Sequence, residues 1–129
     1  MNNEKKSKDI MKEPFKNLSY EERVERLKKS GNGFVQKLYK YSGNLDNLED
    51  IIKKYSWKMF NFIFTGKKGA FVEYLERICA SNQIKCGFDI DGILSATTRE
   101  EFREYALAFM CGFLSEIKSR EEGGKNGRE

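Results

Sequence analysis

Four residues in one stretch of the chain combine positive charge with an aromatic ring, a combination suited to binding nucleic acid. Lys53, Lys54, Trp57 and Lys58 fall on one sector of a predicted helix. Lysine ammonium groups bind backbone phosphates without sequence-specific geometry, and an exposed indole stacks on an unpaired base. The lysines that we predict to contact nucleic acid are Lys37, Lys40, Lys53, Lys54, Lys58, Lys67 and Lys68.

The aromatic residue of this set has other interpretations. Trp57, Phe60 and Phe64 form an apolar stripe of their own, which suits the core, an interface with another protein, or base stacking. Lysines on helix faces also serve simply to solvate a protein. The sequence alone leaves these alternatives open.

No residue set predicts catalysis. The chain has no histidine, the side chain that most often transfers protons near neutral pH. Helix capping and exposed helix faces explain its carboxylate groups, Asp89 with Asp91 and Glu100 with Glu101 and Glu104. Residues 66–69, GKKG, lack the preceding strand, the longer glycine loop and the Lys-Ser/Thr pair of a phosphate-binding P-loop. We therefore predict neither enzyme activity nor a cofactor.

The cysteines and the apolar runs indicate in which compartment the protein works. Cys79, Cys86 and Cys111 are an odd set without zinc-ligand spacing, so we predict no metal site and no disulfide. Cys79 and Cys111 occupy apolar helical positions, which predicts core thiols in a reducing compartment. No apolar run approaches the roughly 18 residues of a membrane span. The sequence predicts a cytoplasmic protein without a membrane partner.

A long helix from Asp46 to Phe64 must position the lysines and the tryptophan. The apolar stripe that we assign to its core face comprises Leu48, Ile51, Ile52, Tyr55, Met59, Phe62 and Ile63. The Trp57 stripe lies nearly opposite, so one neighbouring element cannot cover both. The helix needs either two neighbours within the domain or one neighbour and a partner.

The N-terminal half supplies shorter elements. Ser19 and Glu22 form a capping box that opens a first helical region. Gly31-Asn32-Gly33 predicts a turn, because two glycines weaken a continuous helix. A short second helix is then predicted from Phe34 to Tyr41.

The C-terminal half completes the predicted domain. Helices are predicted from Ala70 to Ser81 and from Arg99 to Ser119, with a helical turn between them. Gly112 inside the last helix predicts close approach by another helix. The fold class is all-α: a compact bundle of about five helices at residues 18–120, between disordered tails at 1–17 and 121–129.

Charge is distributed unevenly along the 129 residues. Residues 1–22 are neutral, with five basic and five acidic side chains. Residues 23–68 contain eleven basic and four acidic ones, a balance of +7, and residues 69–129 contain eight and eleven, a balance of −3. This polarity indicates an anionic partner for the middle of the chain and self-association between unlike ends.

Two segments carry a resemblance to a known family. Thr65-Gly66-Lys67, Phe71 and Leu75-Glu76-Arg77 give a helix end, a basic turn and a Leu-x-Arg pattern. In the last helix, an aromatic-Ala-x-x-Phe-x-x-Gly-aromatic pattern occupies Tyr105, Ala106, Phe109, Gly112 and Phe113. Residues 50–117 resemble the C-terminal helical part of large subunits of type I CRISPR Cascade complexes, and a chain of this size looks like a Cascade small subunit.

The resemblance implies a role without catalysis. Several copies would line a crRNA-guided complex, contact its backbone and large subunits, and support the target or displaced DNA strand. The small subunits of type III complexes are a near neighbour of this interpretation. Two alternatives remain: a helical protein-interaction module, such as a phage inhibitor or an adaptor, and a small DNA-binding regulator.

Overall fold

A computed structural model describes the backbone of residues 10–42, 45–85 and 90–127, and the side chains of 10–40, 50, 52–85 and 90–122. No strand occurs in these ranges, and the predicted all-α bundle is confirmed. A 3-10 turn at Phe15–Asn17 precedes five helices, which are α1 (Tyr20–Ser42), α2 (Leu45–Phe64), α3 (Lys68–Ser81), α4 (Ile90–Leu94) and α5 (Arg99–Gly127).

The first helix departs most from the sequence-based prediction. It runs without interruption through Gly31-Asn32-Gly33, so the predicted turn is wrong and the two predicted short helices are one. Gly31 lies against α5, where a Cβ atom would overlap the carbonyl oxygen of Phe109. Asn32 Nδ2 donates a hydrogen bond of 2.6 Å to the carbonyl oxygen of Gly112. These tertiary contacts hold a helix that its glycines weaken locally.

The close approach predicted from Gly112 is confirmed, and its neighbour is α1. A Cβ atom on Gly112 would overlap the α1 backbone. Near the start of both helices, Arg23 Nη1 donates a hydrogen bond of 3.0 Å to Tyr105 Oη. Further along, the Arg120 guanidinium lies 4.4 Å from the ring centroid of Tyr39. The helices α1 and α5 therefore run parallel and touch along much of α1.

Aromatic rings fill the core between α1, α3 and α5. Phe109 lies at its centre, with ring centroids 5.7 Å from Phe34, 6.4 Å from Phe71 and 6.3 Å from Phe113. Ile52, Met59 and Ile63 add the core face of α2. Leu48 and Ile51, also assigned to that face, lie outside the described side chains.

A tight turn makes α2 and α3 antiparallel. Gly66 has φ +71°, the left-handed conformation that glycine adopts without strain. Its backbone N–H donates 3.1 Å to the carbonyl oxygen of Ile63, and the N–H of Lys67 donates 2.9 Å to that of Phe62. This turn positions the outer faces of α2 and α3 side by side.

The folded part of the chain extends further at both ends than the sequence predicts. Phe15, in the stretch predicted as a tail, packs edge-on against Tyr105 at 5.4 Å between centroids. Arg23 Nε donates 3.2 Å to the carbonyl oxygen of Phe15. At the other end, α5 continues to Gly127, past its predicted end at Ser119.

The predicted capping box at Ser19 is present, and the side chain of Thr98 caps the start of α5. Ser19 N donates 2.9 Å to Glu22 Oε1, and Glu22 N donates 3.2 Å to Ser19 Oγ. At α5, Glu101 N donates 3.0 Å to Thr98 Oγ1, while Glu101 Oε1 accepts from the backbone N–H of Thr97 at 2.7 Å. These side chains satisfy backbone groups that a helix start leaves unpaired.

The capping carboxylate of α5 predicts a pH-dependent stability. The backbone N–H of Thr97 lowers the pKa of Glu101, with smaller contributions from the hydroxyls of Thr97 and Tyr105 and the charge of Arg23. A lowered folded-state pKa stabilises the fold above the unfolded-state value of about 4.3, and this stability is lost as pH falls through the folded value. We expect Glu101→Gln to lower the free energy of unfolding at neutral pH, with a difference from wild type that narrows below about pH 4.

Urea denaturation at each pH measures this difference. Glu100→Gln is the matched control, because Glu100 is exposed on the same turn and makes no capping bond in the structure. A difference for Glu101→Gln that stays constant from neutral to acid pH would contradict the prediction.

The cysteines differ from the prediction. Cys79 is buried as expected, but it is disulfide-bonded rather than a thiol. Cys111 is a free thiol, but it is exposed, because it lies on the outer side of α5, away from α1 and α3. Cys86 lies outside the described residues. The sequence-based argument for a reducing compartment therefore loses its basis. None of the helices in the described part of the chain has the length and apolar composition to cross a membrane.

Candidate nucleic-acid interface

The outer face of α2 carries the predicted lysines and the predicted aromatic stripe. Lys54, Trp57 and Lys58 are all exposed. At about 100° per residue, Lys54 and Lys58 lie about 60° and 100° to one side of Trp57, while Phe60 and Phe64 lie on the other side. The face therefore divides into a basic half and an aromatic half.

The basic half continues into a groove between α2 and α3. Lys58 comes from α2 and Arg77 from α3, so two helices each supply a cation. Arg77 Nη2 also lies 3.3 Å from Glu73 Oε2, an exposed pair of the kind that stabilises little. The groove has a volume of about 120 Å³, and its lining residues are Lys58, Phe62, Ala70, Glu73, Tyr74 and Arg77.

Tyr74 sets the geometry of this groove. Its ring meets those of Tyr55 and Phe62 edge-on, with centroids 5.7 and 5.8 Å away. Burial raises the pKa of the Tyr74 hydroxyl, and Tyr55 raises it further, so the group is neutral at physiological pH. Lys58 Nζ lies 5.7 Å from the Tyr74 centroid, within cation–π range. The Tyr74 ring therefore attracts the ammonium group of Lys58, and Arg77 lines the same groove.

Lys37 and Lys40 belong to a separate basic pocket. They line a concavity of about 350 Å³ with Gln83, Ile84 and Lys85. Ile84 is buried and anchors this loop, and Gln83 has φ +58°. Three lysines line this one concavity, and the structure does not join it to the outer face of α2.

Three of the predicted lysines line neither the groove nor the pocket, and two of them bond to other parts of the fold. Lys53 forms an ion pair with Glu121 of α5. Lys68 Nζ donates 3.1 Å to the carbonyl oxygen of Leu94 and 2.8 Å to that of Ala96, so it ties α3 to the end of α4. Lys67 is exposed at the turn between α2 and α3.

The aromatic stripe is not covered by α1. Trp57 is 80% exposed and Phe64 is 61% exposed. Phe60 is half-buried, and its ring stacks on that of Phe64 with centroids 6.0 Å apart and an interplanar angle of 19°. Of the alternatives that the sequence left open for Trp57, the structure removes the core.

Sequence reasoning missed two cations that the fold adds to these surfaces. Arg77 follows from the antiparallel pairing of α2 and α3, which places it beside Lys58. Lys85 joins Lys37 because the loop after α3 returns to α1. The short turn at Gly66 could have predicted the position of Arg77. A short turn makes α3 the antiparallel neighbour of α2, and Arg77 lies on α3.

Comparison of the chain with family models, curated proteins and solved structures finds no match. Within the described ranges, no three cysteine or acidic side chains form a group that could hold a metal ion.

Proposed function

We propose that the chain is a nucleic-acid-binding subunit without catalytic activity, and that it works in a crRNA-guided complex of the Cascade type. The observation that carries nucleic-acid binding is the convergence of Lys58 and Arg77 in one groove, with Lys54 beside it. The Cascade assignment is supported by the sequence resemblance over residues 50–117. The partners that follow are crRNA-containing backbone and large subunits and the target DNA.

The groove suits a phosphate backbone better than a base. The ammonium group of Lys58 lies over the Tyr74 ring, so it occupies a position that a stacked base would need. Cations on both sides of a shallow groove bind successive phosphates without reading sequence. A single strand lying along the groove would reach Lys54 one turn from Lys58 on the same helix.

We expect Lys54→Glu, Lys58→Glu and Arg77→Glu together to weaken single-stranded DNA binding and to flatten its salt dependence. Loss of three phosphate contacts should reduce the slope of log Kobs against log salt by about 2, at about 0.7 per phosphate for a single strand. Fluorescence anisotropy with a labelled oligonucleotide at several salt concentrations measures both effects.

The matched control changes the same number of charges elsewhere. Lys12, Lys16 and Lys29 are exposed and lie outside the groove, so their triple change to glutamate alters net charge equally. If both triple variants lose binding to the same extent, the effect is one of net charge and the groove is not the site. The complex is tested separately: a tagged chain purified from its native host should recover crRNA and CRISPR subunits, and failure to do so removes the Cascade assignment.

A second function, binding to another protein, is favoured by the exposure of Trp57 and Phe64. Exposed aromatic residues beside polar ones mark protein interfaces. These residues lie on the half of α2 that faces away from the groove, so both functions can operate in one molecule.

A further inference from the structure

Residues 10–17 precede α1 and lie against the bundle, and we name this segment the strap. Two arginines of α1 hold the strap by its backbone. The carbonyl oxygens that their guanidinium groups bond belong to Ile10, Glu13, Phe15 and Lys16. Arg23 donates to two of these oxygens at 3.2 and 3.1 Å, and Arg26 donates to the other two. The fold therefore binds the strap much as a protein binds a short peptide.

The ring of Phe15 fills a pocket built from three helices. It meets the Tyr105 ring of α5 edge-on, with centroids 5.4 Å apart. The guanidinium carbons of Arg23 and Arg26 lie 5.2 and 5.6 Å from its centroid, within cation–π range. Gly92 of α4 leaves room for the ring, because a Cβ atom there would lie 2.9 Å from Phe15 Cε1. We name Arg23, Arg26, Gly92 and Tyr105 the strap site.

The strap site is oriented by bonds in which the strap takes no part. Arg23 Nη1 donates 3.0 Å to Tyr105 Oη, and Tyr105 Oη donates 3.2 Å to Glu101 Oε2. Glu101 in turn accepts a hydrogen bond of 2.7 Å from the backbone N–H of Thr97. These bonds orient the Arg23 guanidinium whether or not the strap is in place. A site ordered in advance loses little free energy to ordering when a ligand binds.

The contact reads little of the strap's own sequence. Phe15 is half-buried and provides the ring. The strap side chains that are exposed are Met11, Lys12, Pro14, Lys16 and Asn17. Backbone carbonyl oxygens are common to every peptide. Another segment that presents an aromatic ring can therefore make the same contacts.

The charge of the strap site favours a more acidic ligand than the strap. The three nitrogens of the Arg23 guanidinium donate to uncharged oxygens, which are two strap carbonyls and the hydroxyl of Tyr105. A carboxylate accepts two parallel hydrogen bonds from one guanidinium and adds the attraction of opposite charges. The strap itself has a net charge of +1, from Lys12, Glu13 and Lys16.

We propose that the strap site binds a segment of another protein in which an aromatic residue stands next to a carboxylate, and that the strap occupies the site until this partner arrives. The partner's ring takes the place of Phe15 on Tyr105, and its carboxylate takes the place of the strap carbonyls on Arg23. The strap stays attached through Leu18, which is buried. It therefore competes at an effective concentration on the order of millimolar, and only a partner of higher affinity displaces it.

This site is separate from the groove between α2 and α3. Its residues belong to α1, α4 and α5, and it includes neither Trp57 nor Phe64. Failure of the lysine and arginine variants to change DNA binding would leave the strap site untouched. A chain that binds no peptide would likewise leave the groove untouched.

A labelled peptide tests the site in the full-length chain. The probe is residues 10–17 with Lys16→Asp, which puts a carboxylate after Phe15. Fluorescence anisotropy should show saturable binding, about tenfold tighter to a Phe15→Ala chain than to the wild-type chain, because a strap without its ring competes less. The peptide without the Lys16→Asp change should bind more weakly at low salt, and this difference should shrink as salt is added. A probe that also carries Phe15→Ala should bind at least about tenfold more weakly.

A charge variant of the chain separates the site from net charge. In the Phe15→Ala chain, Arg23→Gln should remove the preference for the carboxylate peptide. Lys29→Gln is the matched control, because it removes one charge from an exposed position of α1 outside the strap site. Equal effects of the two substitutions would contradict a specific role of Arg23. The comparison between peptides in a single chain does not depend on the stability of either variant.

Hydrogen exchange tests displacement of the strap in the wild-type chain. The backbone N–H of Asn17 donates 2.9 Å to the carbonyl oxygen of Pro14, and that of Leu18 donates 3.1 Å to that of Phe15. Saturating probe should speed exchange of these two amides about tenfold as the strap leaves, with α3 unchanged.

Four results overturn the proposal. They are no saturable binding to the Phe15→Ala chain, equal binding to the Phe15→Ala and wild-type chains, binding without faster exchange in the strap, and occupation of the site by the strap of a second copy. The last would appear as a doubled mass in sedimentation velocity.

Discussion

In a Gly112→Ala variant we expect the free energy of unfolding to fall by about 3 kcal/mol or more. The new methyl group would overlap the carbonyl oxygen of Lys28 and lie 2.7 Å from its carbonyl carbon. Both neighbours belong to backbone, so no side-chain rotation relieves the overlap, and α1 and α5 must separate. Separation would also remove the hydrogen bond from Asn32 to Gly112. The gain of about 1 kcal/mol in helix propensity is too small to offset this loss.

Gly33→Ala provides the matched control for this substitution. Gly33 lies two residues after Gly31 in the same helix, but a Cβ atom there meets nothing within 4 Å. We expect this variant to be more stable by about 0.5 to 1 kcal/mol, because alanine favours the helix and restricts the unfolded chain. Urea denaturation followed by circular dichroism measures both variants. Equal behaviour of the two would show that α1 and α5 do not touch at Gly112.

The contrast between these glycines shows what the sequence could not predict. Gly31-Asn32-Gly33 has the composition of a turn, and local propensity favours that prediction. The structure keeps a helix there because Gly31 meets the backbone of α5 and Asn32 bonds to Gly112, 80 residues later. Gly112 predicted the close approach of another helix, but nothing in the sequence identified α1 as that helix.

Elements with local signals were predicted well. The capping box at Ser19 depends on two residues three apart, and both of its hydrogen bonds form. The long helix around Trp57 follows from its apolar period and ends at Phe64 as predicted. Such local interactions can be predicted from a single sequence, because the interacting groups are close along the chain.

The candidate sites depend on helix direction, which the sequence gives only in part. The groove needs Arg77 beside Lys58, and this follows from a short turn that makes α2 and α3 antiparallel. The end of α2 meets α5 through Arg103, which donates hydrogen bonds to the carbonyl oxygens of Ile63 and Phe64, and here the chain passes through two other helices in between. Sequence reasoning could find the lysines and the aromatic stripe, but it could not divide them into two surfaces.

Phe109→Ala is the second substitution with a large expected effect. Phe109 is buried at the centre of the bundle, where its ring contacts those of Phe34, Phe71 and Phe113. Truncation to alanine removes the transfer free energy of the ring and leaves a cavity that three neighbouring helices cannot close. We expect a loss of about 3 to 5 kcal/mol, a large share of the stability of a domain of this size.

A series of substitutions of graded size distinguishes the loss of core packing from the effect that any substitution has on stability. Phe109→Leu keeps most of the apolar volume and should cost clearly less than Phe109→Ala, because the residual cavity is smaller. Leu94→Ala, at an exposed position of α4, should cost less than about 1 kcal/mol. If Phe109→Ala costs no more than Leu94→Ala, the ring cluster is not the centre of the core, and the parallel packing of α1 on α5 must be reconsidered.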